Sequence, residues 1–192
     1  MNAPSQKGQL AVISGPSGVG KSTICREVIR RTGARLSVSA TTRPRGAGEE
    51  DGKDYWFLTR DAFEQRIRDE AFLEYAEVFG HYYGTPRREV DEALARGETI
   101  LLEIDVQGAR QVKRMYPEAV MIFILPPSGT ELAGRMEKRG RGEDEDTRRR
   151  RLAEAGQETA QAMRFYDHMV INDNLEQAVQ DVIQIIQSKS GA

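Results

Sequence analysis

Gly15-Pro16-Ser17-Gly18-Val19-Gly20-Lys21-Ser22 has the spacing G-x-x-x-x-G-K-[ST], in which glycines let successive backbone N–H groups turn inward onto a phosphate. Lys21 is placed to reach β and γ oxygens, the Ser22 hydroxyl suits Mg2+, and Thr23 completes the run. The flanks are those the mechanism requires. Leu10-Ala11-Val12-Ile13 reads as a strand buried on both faces, and Ile24, Cys25, Val28 and Ile29 form one stripe of a helix running from Lys21 to Arg31, whose N-terminal dipole adds to the loop amides. The pattern predicts binding of ATP or GTP.

Transfer of a phosphoryl group to a second anion needs cations and hydroxyls on both phosphates, because catalysis of this kind is mostly positioning and charge stabilisation. Arg43, Arg45, Tyr55, Tyr82 and Tyr83 crowd one stretch, and the Asn-Lys-x-Asp box with which switch GTPases read guanine is absent. A carboxylate such as Glu74 suits a base edge that offers a ring N–H and an exocyclic amino group, the donor edge of guanine that adenine lacks. Taken singly, such tyrosines also serve as packing and such charges as solvated surface. Glu103 and Asp105 stand where a carboxylate can approach Mg2+ or substrate at the C-terminal edge of a parallel sheet, and spacing alone does not choose between them. In the run Arg148 to Arg151, at about 100° per residue, one or two side chains at most face a common site, Arg151 first and Arg148, one turn away, second. Glu143 to Asp146 read as N-terminal charge for the helix that follows rather than as a metal site. Cys25 belongs to the core stripe and is expected to be inert, and His81 and His168 have no partner at metal-ligand spacing. A catalytic base is not required, since a phosphate monoester with a second pKa near ~6 is already an anionic nucleophile at neutral pH.

The elements that must position these groups alternate. Thr99 to Ile104 and Val120 to Leu125 repeat the buried-strand pattern, with Met169-Val170-Ile171 a weaker instance. Ser128 and Glu131 form a capping box opening a helix towards Arg139, and Leu175, Ala178, Val179, Val182, Ile183 and Ile186 make an amphipathic stripe. The expectation is an α/β fold with a parallel sheet covered by helices on both faces. Residues 36–90 break the alternation: Leu36 and Val38 alternate with Ser37 and Ser39, a glycine-bearing loop follows from Arg43 to Asp54, and Tyr55 to Leu58 and Leu73 to Phe79 read as short strands. They are expected to form an inserted subdomain. Arg139 to Asp146, with two glycines and no apolar residue, reads as a mobile loop. The chain of 192 residues is then one domain, with a core over about 9–35, 91–135 and 156–190, an insertion over about 36–90 and a lid over about 136–155. With 28 basic against 30 acidic residues and a net charge of -2, no global positive field holds a nucleic-acid backbone or an anionic membrane. A single cysteine excludes an intrachain disulfide, and no apolar run approaches the ~20 residues of a membrane span. A soluble, cytoplasmic protein is expected.

Ser37-Val-Ser-Ala-Thr-Thr-Arg43-Pro, Gly48-Glu-Glu-Asp-Gly52-Lys-Asp-Tyr55-Trp-Phe57, Phe72-Leu-Glu74-Tyr, Tyr82-Tyr83-Gly84-Thr85, Glu103-Ile-Asp105-Val-Gln-Gly108 and Val170-Ile-Asn172-Asp173 resemble, in order and spacing, the guanylate kinases. The resemblance runs from about Gln9 to the last helix. It implies a phosphate-loop core, an inserted GMP-binding subdomain and a mobile lid, with ATP and GMP as substrates and Mg2+ accompanying ATP. It implies that Ser39 and Glu74 read guanine with Thr85 and Asp105 assisting, and that Arg43, Tyr55 and Tyr83 bind the GMP phosphate. Asn172 would lie near the adenine, Asp105 is preferred over Glu103, and Arg135, Arg139 and one arginine of the run Arg148 to Arg151, with Arg151 favoured, would be lid cations. One departure stands out: the family's second phosphate-binding basic residue would fall at position 46, where this chain has Gly46. Arg45 is expected to substitute, because the glycines after it relax the backbone. Two rival readings remain: a non-catalytic guanylate-kinase-like binding module, against which the intact Lys21 and Ser22 argue, and a kinase with another acceptor, against which Glu74 and Ser39 argue.

Overall fold

The computed structural model describes residues 8–138, 153, 155–157 and 159–190. The first strand, β1 (Gln9–Ser14), shows why its run is apolar throughout. Leu10 and Val12 enter one buried cluster with Ile100, Leu102 and Val112, whereas Ala11 and Ile13 enter another with Val28, Ile122 and Val179. Successive side chains point to opposite faces and both faces are covered. β1 lies between β7 (Thr99–Glu103) and β8 (Val120–Leu125), with β2 (Arg35–Leu36) beyond β7 and β9 (His168–Ile171) beyond β8. All four pairings are parallel, as the alternation of strands and helices predicts. On one face α1 (Lys21–Thr32) packs against the C-terminal helix α6 (Leu175–Ser190). On the other lie α3 (Arg87–Ala95) and α4 (Val106–Met115). α5 (Gly129–Lys138) opens as the capping box predicts, its Glu131 amide donating to Ser128 Oγ at 3.1 Å.

A second sheet is built from β3 (Ala40–Thr41), β4 (Trp56–Phe57), β5 (Phe72–Val78) and β6 (His81–Pro86), in the order β4-β3-β6-β5. α2 (Arg60–Arg68), capped by Thr59, covers it: Phe63 stacks on Phe72 at 4.3 Å and on Tyr82 at 5.3 Å. β5 and β6 are joined by Phe79-Gly80, both at positive φ (52° and 79°), the conformation that matches the twist of a two-residue hairpin.

The structure departs from the sequence reading in two places. Leu36, Ser37, Val38 and Ser39 are not one alternating strand. Leu36 ends β2 beside Leu101 in the core sheet, and the chain crosses over 37–39 into the second sheet. Helix α4, capped by Asp105, lies between β7 and β8 where the alternation expects one, whereas α2 and α3 were not anticipated, although Thr59 caps α2. The loop expected over Arg139–Asp146, most of the lid, and Arg139, Arg148 and Arg151 lie outside the described residues. Among the described residues no helix is long and apolar enough to cross a membrane.

Candidate active site

The phosphate loop occupies the C-terminal end of β1. Gly20 is the residue before α1 at φ 106°, and a Cβ there would lie 2.5 Å from Asn172 Nδ2, so both the backbone and the space demand glycine. Among the described residues no side chain caps α1 and its first turn carries no acidic residue, so its N-terminal amides and dipole face the loop. Lys21 Nζ reaches back to the carbonyl oxygens of Gly15 and, at 3.0 Å, Pro16, which places the ammonium over the loop. Ser17, Gly18 and Val19 form the turn between, closed by the Val19 amide on Pro16 O at 3.2 Å, and the exposed Thr23 follows with its amide on Gly20 O.

Asn172, at the end of β9, is buried. Its Nδ2 donates to Val19 O at 2.8 Å, its amide donates to Leu125 O, and its carbonyl accepts Arg135 Nη2 at 3.0 Å. One asparagine thus ties the loop to β8, β9 and the cation of α5. Ser22 Oγ donates to Glu103 Oε1 at 2.7 Å, joining the loop to the end of β7. This hydroxyl and carboxylate are hard oxygen donors, and they fit Mg2+, which binds through one or two protein oxygens together with nucleotide phosphates. Glu103, rather than Asp105, stands at Ser22. The reason is that β7 ends at Glu103 and Asp105 has already become the cap of α4, accepting the Gly108 amide at 2.7 Å.

Asp105 faces the second sheet instead. A Cβ placed on Gly108 would lie 2.1 Å from Glu74 Oε2 and 3.4 Å from Asp105 Oδ1, so the two carboxylates flank one point on α4. Glu74 is 3% exposed and accepts Thr85 Oγ1 at 2.6 Å. Burial pushes its pKa up to about 7, the Thr85 hydrogen bond opposes that rise, and the charge of Asp105 adds to it. Desolvation also raises Asp105. Ser39 is half-buried where the chain enters β3, its carbonyl accepting the Trp56 amide.

Arg43 is held on several sides. Nη2 pairs with Glu49 Oε1 at 2.7 Å, Nη1 donates to Pro44 O at 2.8 Å, and the guanidinium carbon lies 5.5 Å from the Tyr55 ring centroid and 5.8 Å from that of Phe57. Tyr83 lies within electrostatic reach of Arg43, and the Tyr55 and Tyr83 rings meet edge to face at 5.9 Å. Burial, with the charge of Glu103 next, pushes the Tyr55 hydroxyl up to about 12, so the arginine–tyrosine cluster lies within electrostatic reach of the carboxylate at Ser22. Arg43, Tyr55 and Tyr83 are therefore brought together, as are Glu74, Thr85 and Asp105. Tyr82 is not: it alternates to the other face of β6, against Phe63 and Arg60. Arg45 is exposed. Cys25 is buried among core residues, which pushes its thiol up and keeps it inert. Sequence reasoning passed over Glu49, which only its place in a motif marked, and set Glu103 behind Asp105.

Residues 7–189 match the family model described as guanylate kinase. The chain is 49% identical over 181 residues to a guanylate kinase of Carboxydothermus hydrogenoformans, an alignment that covers 94% of this chain and 88% of that relative. It is 51% identical over 180 residues to a guanylate kinase of Thermus thermophilus, covering 94% and 81%. Among solved structures, the guanylate kinase of Anaplasma phagocytophilum superposes with a TM-score of 0.79 at 32% identity, over 97% of this chain and 88% of that one. With a phosphate loop, a buried carboxylate and an arginine–tyrosine cluster assembled around the end of one strand, and with relatives of this closeness over nearly its whole length, the chain belongs to the guanylate kinase family.

Proposed function

We propose that this chain transfers the γ-phosphoryl group of ATP to GMP, giving ADP and GDP. The observation that carries the reading is the end of β7, where Glu103 reaches the phosphate loop through Ser22 and Asp105, two residues on, flanks the buried Glu74. Donor and acceptor sites then share one edge of the core sheet, as ligands of open α/β sheets do.

On the donor side the loop amides from Gly15 to Ser22 cradle the phosphates, and Lys21 leaves the Gly15 and Pro16 carbonyls for the β and γ oxygens. Ser22 and Glu103 would hold Mg2+, which when bound neutralises charge on those oxygens. Asn172 stands near the adenine while anchoring Val19. On the acceptor side the inserted segment 36–90 binds GMP. Glu74 accepts the ring N–H and the amino group of guanine, Ser39, Thr85 and Asp105 complete the base site, and Arg43, Tyr55 and Tyr83 hold the phosphate, with Arg45 as second cation. The bound monophosphate is already anionic, so the residues need only align it with the γ-phosphorus and stabilise the charge that develops in transfer. Arg135, together with Arg139 and Arg151, which lie outside the described residues, would supply cations for that charge.

A coupled assay of ADP release with GMP, AMP, dTMP and UMP in parallel tests the reading. Turnover with GMP far above the other three is expected. Turnover favouring another acceptor would overturn the guanine assignment, and no turnover with any would favour a binding module.

A further inference from the structure

Two residues of α4 meet the strand that carries Glu74. Gly108 and Gln111 are three residues apart and so lie on one side of the helix. Gln111 Nε2 donates to Tyr75 O at 2.7 Å, and its Oε1 accepts the Tyr75 amide at 3.4 Å. β5 is the outer strand of its sheet, so this side-chain amide completes its edge as a neighbouring strand would. Tyr75 adjoins Glu74, and alternation along β5 sends the exposed tyrosine and the buried carboxylate to opposite faces. Fixing the Tyr75 backbone therefore fixes where Glu74 leaves the strand. Gly108 receives it: a Cβ there would stand 2.1 Å from Glu74 Oε2 and 2.8 Å from its Cδ, so the carboxylate occupies the space of the missing side chain.

We propose that Gly108 and Gln111 are positioning residues for base selection, the first giving Glu74 its seat on α4 and the second holding the β5 edge at the height where that seat is met. The orientation of the base-reading carboxylate is thereby set by a helix of the core rather than by the second sheet alone. The inference rests on Glu74 reading the guanine edge. Helix propensity makes the opposite prediction for Gly108, because alanine stabilises a helix relative to glycine. A Gly108→Ala variant that keeps its melting temperature but loses base selection isolates the contact with Glu74.

The test compares the parent, Glu74→Gln, Gly108→Ala and Gln111→Met, the last keeping the bulk of the side chain while removing its hydrogen bonds. The readouts are kcat/KM for GMP relative to inosine monophosphate, which keeps the ring N–H but lacks the amino group, together with KM for ATP and thermal melting. Gly108→Ala and Gln111→Met are each expected to lower the GMP preference about tenfold or more through KM for the monophosphate, with KM for ATP and kcat within about twofold of the parent. Should Gly108→Ala fail to fold, Gln111→Met alone decides. A parental ratio in both variants, alongside a lowered ratio in Glu74→Gln, overturns the positioning role and leaves the base-reading role standing. A parental ratio in Glu74→Gln itself overturns both.

Discussion

Arg43 and Glu49 are joined by a 2.7 Å ion pair, and the second Glu49 oxygen accepts the Gly46 amide at 2.7 Å, so one carboxylate fixes both the guanidinium and the loop that carries it. Both side chains are about a quarter exposed, at 23% and 24%, which screens the pair less than a fully solvated one. Glu49→Ala should raise KM for GMP while leaving KM for ATP unchanged, because an unclamped Arg43 must be ordered at the moment the phosphate binds. Steady-state kinetics with each nucleotide varied in turn check this. A KM for GMP below that of the parent would show that Glu49 competes with the phosphate instead of preparing its site.

Arg45 and Gly46 provide a second test of the same loop. Arg45→Ala should raise KM for GMP or lower kcat roughly tenfold to a hundredfold, through loss of a charge-assisted hydrogen bond of ~1.5–3 kcal/mol. Gly46→Arg should bring no gain, since a Cβ at that position lies 3.0 Å from Glu49 Oε2 and crowds the carboxylate that clamps Arg43. An inert Arg45→Ala paired with an activating Gly46→Arg would refute the substitution.

The pH dependence follows from Glu74, whose carboxyl is raised from 4.5 to about 7 by burial. Between those values the folded chain holds a proton that the unfolded chain has released. The stability this contributes is complete below about pH 4.5 and is lost as the pH rises through about 7. Guanine N–H donors favour the carboxylate, so bound GMP reverses the preference. KM for GMP should rise as the pH falls below 7, by up to about tenfold per unit, and the increment in melting temperature on adding GMP should grow between pH 6 and 8. Glu74→Gln, which cannot titrate, should lose this dependence and keep only that of the GMP phosphate.

Ser22 and Glu103 predict a magnesium phenotype. Glu103→Gln should raise the Mg2+ concentration for half-maximal activity by about tenfold, with KM for GMP little changed. Titrating Mg2+ at fixed, saturating nucleotide measures it. A parental Mg2+ requirement in Glu103→Gln, with an altered one in Asp105→Asn, would return the assignment to Asp105.

Lys21→Ala should lower kcat by at least about a hundredfold, because the ammonium neutralises charge that develops during transfer. Circular dichroism should be unchanged, since Lys21 Nζ bonds carbonyls of the adjoining loop. Near-normal turnover in the folded variant would remove this lysine from the mechanism.

Much of the donor side was legible in the sequence because it is local. A strand, a glycine turn and a helix adjoin one another from Gln9 to Thr32, and the glycines are dictated by backbone geometry that residue type reveals directly. The acceptor side is assembled by pairing across distance. The register that sets Thr41 opposite Tyr83 decides that Tyr83, and not Tyr82, reaches Arg43, and nothing in the dipeptide itself distinguishes the two. Glu103 and Asp105 were ambiguous because i and i+2 share a face only while a strand persists, and here the strand ends between them. Glu49 was hidden for a different reason: an exposed-looking acidic loop residue acquires its role only from the arginine folded back on it.

The strand order has a consequence for synthesis. β1 is the earliest strand among the described residues, yet its hydrogen-bonded neighbours are Thr99–Glu103 and Val120–Leu125, while the anchor of Val19 is Asn172. As the polypeptide leaves the ribosome, the phosphate loop emerges before both strands that flank β1 and before the asparagine that anchors it. The sheet spanning Ala40 to Pro86 has all of its strands in hand well before then, so the acceptor half can close while β1 still waits for both neighbours. The loop therefore gains its full support only after Asn172 has been translated.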